Sequence, residues 1–177
     1  MSFDEFTLVR MTEDDLPLIV KWRSRPEVNE WYGGKPVTEG EIRTRHLESN
    51  EPVRRCIVHL DGDPIGFLQF YEYIDAWKPA IDLKPDDHGV WGIDVYLGEP
   101  HLHGRGIGTR LVRGVAERLV SDHGAARVVI DPHVGNTAAV RCYEKAGFLR
   151  LRLLPSYERV RGEWQDAWLM EWVGTDP

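Results

Sequence analysis

Asp94, Asp131 and Tyr143 are the side chains whose types and settings suit proton transfer and the holding of positive charge. Asp94 falls in Val90–Leu97, an alternating run that predicts a strand with Trp91, Ile93, Val95 and Leu97 on one face and Gly92 and Asp94 on the other. Aspartate is disfavoured in strands, so its place beside a glycine that opens space asks for a use. Asp131 follows the short β-branched run Arg127–Ile130 and precedes Pro132, which cannot extend a central ladder. It is therefore expected at the C-terminal end of a strand, the edge at which ligand crevices of parallel sheets lie. Tyr143 lies in a helical stretch near Ala139 and Val140, where it is either a core aromatic or a phenol available for hydrogen bonding.

A different chemistry is written into His103-Gly104-Arg105-Gly106-Ile107-Gly108-Thr109. The stretch lies between the Val90–Leu97 strand and an amphipathic helix marked by Ile107, Leu111, Val115 and Leu119. A helix leaves its first N–H groups without partners and carries partial positive charge there, and glycines let a bulky anion approach the main chain. The junction is a phosphate cradle in the making. It is neither of two common ones: Thr109 stands where a dinucleotide fingerprint needs its third glycine, and no G-x-x-x-x-G-K-[ST] occurs.

The elements that position these groups follow in order. Phe6–Met11 predicts a strand, and Thr12 caps a helix carrying Leu16, Ile19, Val20 and Trp22. Pro26 ends it, and Glu30-Trp31-Tyr32-Gly33-Gly34 forms a flexible aromatic linker before the capping box Thr38–Glu41 opens a second helix through about Leu47. Arg54–Leu60 and Ile65–Ile74 are strands joined at Asp61-Gly62-Asp63-Pro64. The proline-interrupted stretch from Asp75 to Gly89 is expected as a long loop. After the glycine-loop helix, ending near His123-Gly124, come the Arg127–Ile130 strand and a helix between Asn136 and Gly147. Leu149–Leu154 and Trp164–Trp172 close the chain as two strands around a turn with Arg161-Gly162.

Composition sets the outer bounds. At 177 residues and 42% hydrophobic content, residues 1–177 are expected to form a single α/β (α+β) domain. A formal net charge of −7 argues against nucleic acid or an anionic membrane as partner and is compatible with a cationic small molecule. The start lacks a basic and apolar leader and no apolar run is long enough to span a bilayer, so a cytoplasmic protein is expected. Cys56 and Cys142 are isolated and read as reduced packing residues. His88, His101, His103, His123 and His133 are scattered and form no ligand set, so no metal is expected and the histidines read as solvated.

Two motifs carry a family resemblance. His103–Gly108 resembles the [Q/R]-x-x-G-x-[G/A] coenzyme A loop of the GNAT acetyltransferases, with His103 in place of the usual Gln or Arg. Asn136-Thr137-Ala138-Ala139-Val140-Arg141-Cys142-Tyr143-Glu144-Lys145-Ala146-Gly147-Phe148 is similar to that superfamily's N-x-x-A-x-x-x-Y-x-K-x-G-F. The resemblance spans essentially the whole chain and implies a mixed, mostly antiparallel central sheet flanked by helices, in the order β-α-α-β-β-β-α-β-α-β-β. Within the superfamily, Glu30–Gly34, Gly92-Ile93-Asp94, Gly98-Glu99-Pro100, Asp131-Pro132 and Arg141–Phe148 look like the corresponding blocks of aminoglycoside 6'-N-acetyltransferases, which confer antibiotic resistance.

The resemblance implies acetyl-CoA as co-substrate, held by Leu97, His103, Gly104, Arg105, Gly106, Ile107, Gly108, Thr109, Asn136 and Tyr143. It implies direct acetyl transfer in a ternary complex, with Asp94 taking the proton of the acceptor ammonium, Tyr143 serving the departing thiolate, and backbone N–H groups near Leu97 polarising the thioester carbonyl. The acceptor would be a small polycation, its amines on Asp94 and Asp131 and its sugar rings against Trp31 and Tyr32, with Trp77 and the acids Asp82, Asp86 and Asp87 as further candidates. A monomer or weak homodimer suits that work. The alternatives are a siderophore-pathway or lysine-type N-acyltransferase, a protein or peptide N-acetyltransferase, and a non-catalytic coenzyme A sensor.

Overall fold

In a computed structural model of the protein, which describes residues 1–3 and 5–174, the two long helices begin and end where their glycines and caps require. Helix α4 (Ile107–His123) starts at Gly106, φ 76°, and stops at Gly124, φ 66°, whose N–H returns to the carbonyls of Leu119 and Val120. Its stripe of Ile107, Leu111, Val115 and Leu119 is buried. Helix α5 (Thr137–Ala146) is capped by the Asn136 side chain, which accepts from the Ala139 N–H at 3.1 Å, and ends at Gly147, φ 101°. Helix α3 (Glu39–His46) has the expected capping box, with the Thr38 N–H donating to Glu41 at 2.8 Å and the Glu41 N–H to Thr38 at 3.2 Å. Helix α1 covers Leu16–Arg23, and a short α2, Pro26–Asn29, uses Pro26 at its first position, so that proline opens a new helix as well as ending the old one.

Eight strands are described: β1 (Ser2–Phe3), β2 (Phe6–Arg10), β3 (Val53–Leu60), β4 (Asp63–Glu72), β5 (Val90–Leu97), β6 (Arg127–Ile130), β7 (Phe148–Val160) and β8 (Glu163–Trp172). They form one sheet in the order β1-β2-β3-β4-β5-β6-β8-β7. Antiparallel pairing dominates, and β5 and β6 form a parallel pair from Val90↔Arg127 to Gly92↔Val129. Apart from β1, α2 and short 3-10 turns at Glu13–Asp15, Lys78–Ile81 and Pro100–Leu102, the element order is the expected one. The β3–β4 and β7–β8 turns each place a non-glycine and then a glycine in the left-handed region, Asp61 (51°) with Gly62 (93°) and Arg161 (52°) with Gly162 (87°), the pattern of a type I′ turn.

The chain clusters into two compact units, Met1–Phe70 with Asp94–Arg105, and Tyr71–Ile93 with Gly106–Pro177. The core of the first is built from Leu16, Ile19, Trp22, Ile57, Phe67 and Tyr96. That of the second includes Tyr73, Ile81, Val90, Val129, Leu154 and Leu169.

Two expectations need correction. The face of β5 that carries Gly92 and Asp94 is not open: Val90, Gly92 and Tyr96 are buried, and a Cβ on Gly92 would meet the Tyr71 ring at 2.8 Å and Tyr73 at 3.0 Å. The space that Gly92 leaves belongs to those two rings. Strand β7 does not stop at Leu154 but continues through Pro155 to Val160. It is the last strand in the sheet order, where a residue without an N–H is tolerated. The Asp75–Gly89 stretch is the long loop expected, interrupted by the 3-10 turn Lys78–Ile81 and anchored to the core: Ile81 is fully buried, and Lys78, 4% exposed, donates to Asp75 and to the Pro85 carbonyl at 2.8 Å each. No described helix is long and apolar enough to cross a membrane.

Candidate active site

The first unit supplies a held carboxylate. Gln69 on β4 donates from Nε2 to Asp94 Oδ2 on β5 at 2.6 Å, fixing the carboxylate's orientation. Gln69 Oε1 is buried without a hydrogen-bond partner among the described residues, so this amide's one side-chain bond is spent on Asp94. Gln69 was not expected as a site residue, although it is the one polar side chain in the run Ile65–Phe70.

The rest of β5 is tied down by its carbonyls. Hydrogen bonds of Gly98 to Ile65 O and of Tyr73 to Val90 O turn the even-numbered residues of β5 towards β4. On the opposite edge, Val95 O accepts from the Tyr32 hydroxyl at 3.0 Å and Leu97 O lies 3.0 Å from His103 Nε2. The carbonyls of Val95 and Leu97 are thus engaged by side chains.

His103 and Tyr32 thus acquire structural work. His103 is the ring that closes the turn after β5. Tyr32 sets its ring 5.0 Å from Tyr96, and the Arg23 guanidinium stands over its face at 5.2 Å. Arg23 also donates to the Tyr32 carbonyl. Trp31 is half-buried in the turn that its N–H makes to the Val28 carbonyl at 3.1 Å.

The segment that leaves β5 is clamped. Glu99 accepts from Trp22 Nε1 at 2.9 Å and pairs with Arg25 at 2.8 Å, and Arg25 also reaches the Gly98 carbonyl at 2.5 Å. These bonds hold the Glu99 carboxyl below its usual range, the Trp22 contact first among them. A Cβ on Gly98 would fall 2.2 Å from the Trp22 ring, which explains why that position is a glycine.

The second unit supplies the helix N-terminus. The first turn of α4 has no side-chain cap, Gly106 is held at φ 76°, and a Cβ there would approach only the end of Arg110, at 3.5 Å. Gly104, φ 71° and placed by the first unit's chain, has nothing within 4 Å of where a Cβ would sit. Bare N–H groups backed by a buried helix fit a pyrophosphate. Thr109 donates to the Cys142 carbonyl at 3.3 Å, tying α4 to α5, and Asn136 is engaged as the cap of α5. Tyr143 is buried at 8% exposure with its ring 6.3 Å from Phe148.

Asp131 lies at the C-terminal end of β6, as expected, and accepts a hydrogen bond from the Tyr157 hydroxyl of β7. Burial pushes its carboxyl above the usual range, a tendency that the Tyr157 bond opposes. Trp77 stands edge-on to Tyr71 at 5.5 Å. Of the loop acids, Asp87 is consumed by the Lys84 N–H at 2.7 Å and Arg127 at 3.3 Å, whereas Asp82 and Asp86 are exposed.

Asp94, Trp31, Tyr32, Leu97 and His103–Arg105 therefore belong to the first unit, and Asp131, Asn136, Tyr143 and Gly106–Thr109 to the second. Burial raises the thiol pKa of both Cys56 and Cys142, the behaviour of packing thiols. Three of the histidines expected in solvent have partners: His103 on Leu97 O, His123 with its ring 5.0 Å from Trp91, and His133 at 3.2 Å from Glu158. Among the described residues, no group of three or more His, Cys, Asp or Glu side chains is gathered as for a metal ion.

The family described as "Acetyltransferase (GNAT) domain" matches residues 11–154. Aminoglycoside N(6')-acetyltransferase type 1 of Klebsiella pneumoniae is 38% identical over 157 residues, covering 84% of this chain and 76% of that protein. A solved structure of AAC(6')-Ib with paromomycin and acetyl-CoA superposes with a TM-score of 0.76 at 32% identity, over 96% of this chain and 93% of the other. Another, of AAC(6')-Ib with coenzyme A and kanamycin, gives 0.74 at 31% identity over 94% and 93%.

Proposed function

Because the chain belongs to the GNAT acetyltransferase family, we propose that it transfers the acetyl group of acetyl-CoA to a primary amine of an aminoglycoside, the 6'-amino group, by direct attack in a ternary complex. The likeness to aminoglycoside N(6')-acetyltransferase across most of both chains supports the activity. The observation that carries the chemistry is Asp94, an aspartate on a central strand held by Gln69 at 2.6 Å.

Acetyl-CoA supplies the thioester when bound. Gly104 to Thr109 fit its pyrophosphate through the N-terminus of α4, with His103 serving as the ring that shapes the turn on Leu97 O. The N–H groups on the Val95–Leu97 edge are the donors this chain offers to the thioester arm. A protonated amine is no nucleophile, so Asp94 holds the acceptor's ammonium and takes its proton, directly or through water. Asp131 binds a second ammonium, Trp31 and Tyr32 frame the acceptor, Asn136 supports the coenzyme side by capping α5, and Tyr143 serves the departing thiolate.

On this reading residues 1–177 work as one catalytic domain, as a monomer or weak homodimer in the cytoplasm. A polycationic small molecule, not nucleic acid or membrane, is the partner that a net charge of −7 favours. The test is release of free thiol from acetyl-CoA with kanamycin and tobramycin against lysine, hydroxylysine and a peptide panel. Turnover with the aminoglycosides alone is expected. Turnover with lysine-like amines alone contradicts the acceptor, and silence with every amine contradicts catalysis.

A further inference from the structure

The β7–β8 hairpin is irregular at one place, and the irregularity faces Asp131. Its register runs Leu154↔Ala167 and then Glu158↔Gln165, so that Pro155, Ser156 and Tyr157 lie opposite Asp166 alone. Ser156 takes the left-handed conformation, φ 50°, and its N–H is capped by Asp166 Oδ1 at 2.8 Å. The bulge turns Tyr157 off the regular alternation and onto the core cluster of the second unit, against which Tyr71 and Trp77 also pack. From there the Tyr157 hydroxyl donates to Asp131 Oδ2. The neighbouring residue Glu158 meets His133 at 3.2 Å, and Pro132 and His133 are pinned to β8 through Trp168 N–H to Pro132 O at 2.9 Å and the His133↔Ala167 bridge.

From this geometry we infer that Tyr157, set in place by the Ser156–Asp166 bulge, is the positioning residue of the Asp131 ammonium site and determines its preference for polyamine acceptors. The inference rests on the reading of Asp131 as a binder of a second acceptor ammonium. A buried carboxylate gives up water, and a donor that holds it favours its charge and fixes its orientation. Tyr157 is that donor. The phenol occupies one side of Oδ2, so an incoming ammonium meets the carboxylate from the directions that the hydroxyl leaves. The charged and titratable groups around Asp131 act in opposed senses: Tyr157 and His133 favour the carboxylate form, and Glu158 disfavours it.

The test compares kanamycin with methyl 6-amino-6-deoxyglucoside, which carries the reacting amine and no other. The quantity read is the ratio of kcat/KM for the two acceptors, followed against pH, in wild type, Asp131→Asn and Tyr157→Phe. Asp131→Asn is expected to lower the kanamycin preference about tenfold or more, and Tyr157→Phe about three- to tenfold, the worth of one ordinary hydrogen bond. Tyr157→Phe should also move the acid limb of the kanamycin profile to higher pH, since the carboxylate loses a donor that favours its charge. A purely structural tyrosine would alter both acceptors alike and leave the limb in place. Asp166→Ala, which removes the cap of the bulge and keeps the phenol, should shift the ratio in the same direction and serves if Tyr157→Phe does not fold. A fall in the ratio with Asp131→Asn but none with Tyr157→Phe or Asp166→Ala overturns the inference and leaves the Asp131 reading standing. An unchanged ratio in Asp131→Asn overturns both.

Discussion

Gln69 and Asp94, 25 residues apart in sequence, are joined by a 2.6 Å hydrogen bond from the amide nitrogen to one carboxylate oxygen. The bond needs β4 and β5 side by side, and it leaves Gln69 Oε1 buried without a partner among the described residues. An amide kept at that cost serves the carboxylate, not the core.

Replacing it should therefore separate activity from stability. Gln69→Leu removes an unsatisfied acceptor along with the donor, so its melting temperature is expected to stay near that of wild type. Its kcat/KM for the acceptor should fall about tenfold, the value of roughly one charge-assisted hydrogen bond. Thermal melts beside acceptor kinetics at saturating acetyl-CoA measure both; a collapse of stability with full specific activity would contradict the role.

Two glycines on either side of the turn after β5 should respond in opposite ways. A Cβ on Gly98 would lie 2.2 Å from the fully buried Trp22 ring, so Gly98→Ala is expected to destabilise the protein by about 3 kcal/mol or more. Gly104→Ala meets open space but must hold φ 71°, at a cost of about 1–2 kcal/mol. That variant should fold and show a raised KM for acetyl-CoA. Denaturant melts and coenzyme titration distinguish the two.

His46 gives the stability of the first unit a pH dependence. The ring lies 5.3 Å from Phe67, and burial, with Arg55, Arg45 and Arg23 nearby, lowers its pKa to about 4 from an ordinary 6.5. Between those values the unfolded chain binds a proton that the folded chain refuses. Its contribution is full above about pH 6.5 and is lost as the pH falls towards 4, amounting to about 1–3 kcal/mol after allowance for the part of the ring that solvent reaches. Denaturation at pH 7 and pH 4.5 should show this loss in wild type, and His46→Leu should flatten it. Equal slopes would remove His46 from the account.

Local signals were legible because each needs only its own neighbours. Gly106 and Gly124 bound α4, Asn136 and Gly147 bound α5, and Asp61-Gly62 and Arg161-Gly162 make the two tight turns, all readable from conformational preference. Asp94 was identified by being out of character in a strand, and Asp131 by the proline that ends its strand. What was hidden depends on the sheet. Gln69 finds Asp94, and Tyr157 finds Asp131, only once strand order and the bulge are fixed. Lys78 carries no mark in the sequence of its burial, and Pro155 ends a strand in most settings but not on the outer strand of a sheet. Tyr32 is aromatic enough to line an acceptor site, and only the fold reveals that its hydroxyl is tied to Val95 O.

The central claim is that Asp94 handles the acceptor's proton, and the most direct measurement is acetyl transfer to kanamycin by Asp94→Asn, read as thiol release at saturating acetyl-CoA. The amide keeps the shape of the site and can still lie against Gln69, but it neither holds an ammonium nor takes a proton. A fall in kcat/KM of about 10²- to 10⁴-fold, with the coenzyme's affinity preserved, is the expected result. Turnover within about twofold of wild type, less than the loss of any general base would give, would contradict the assignment.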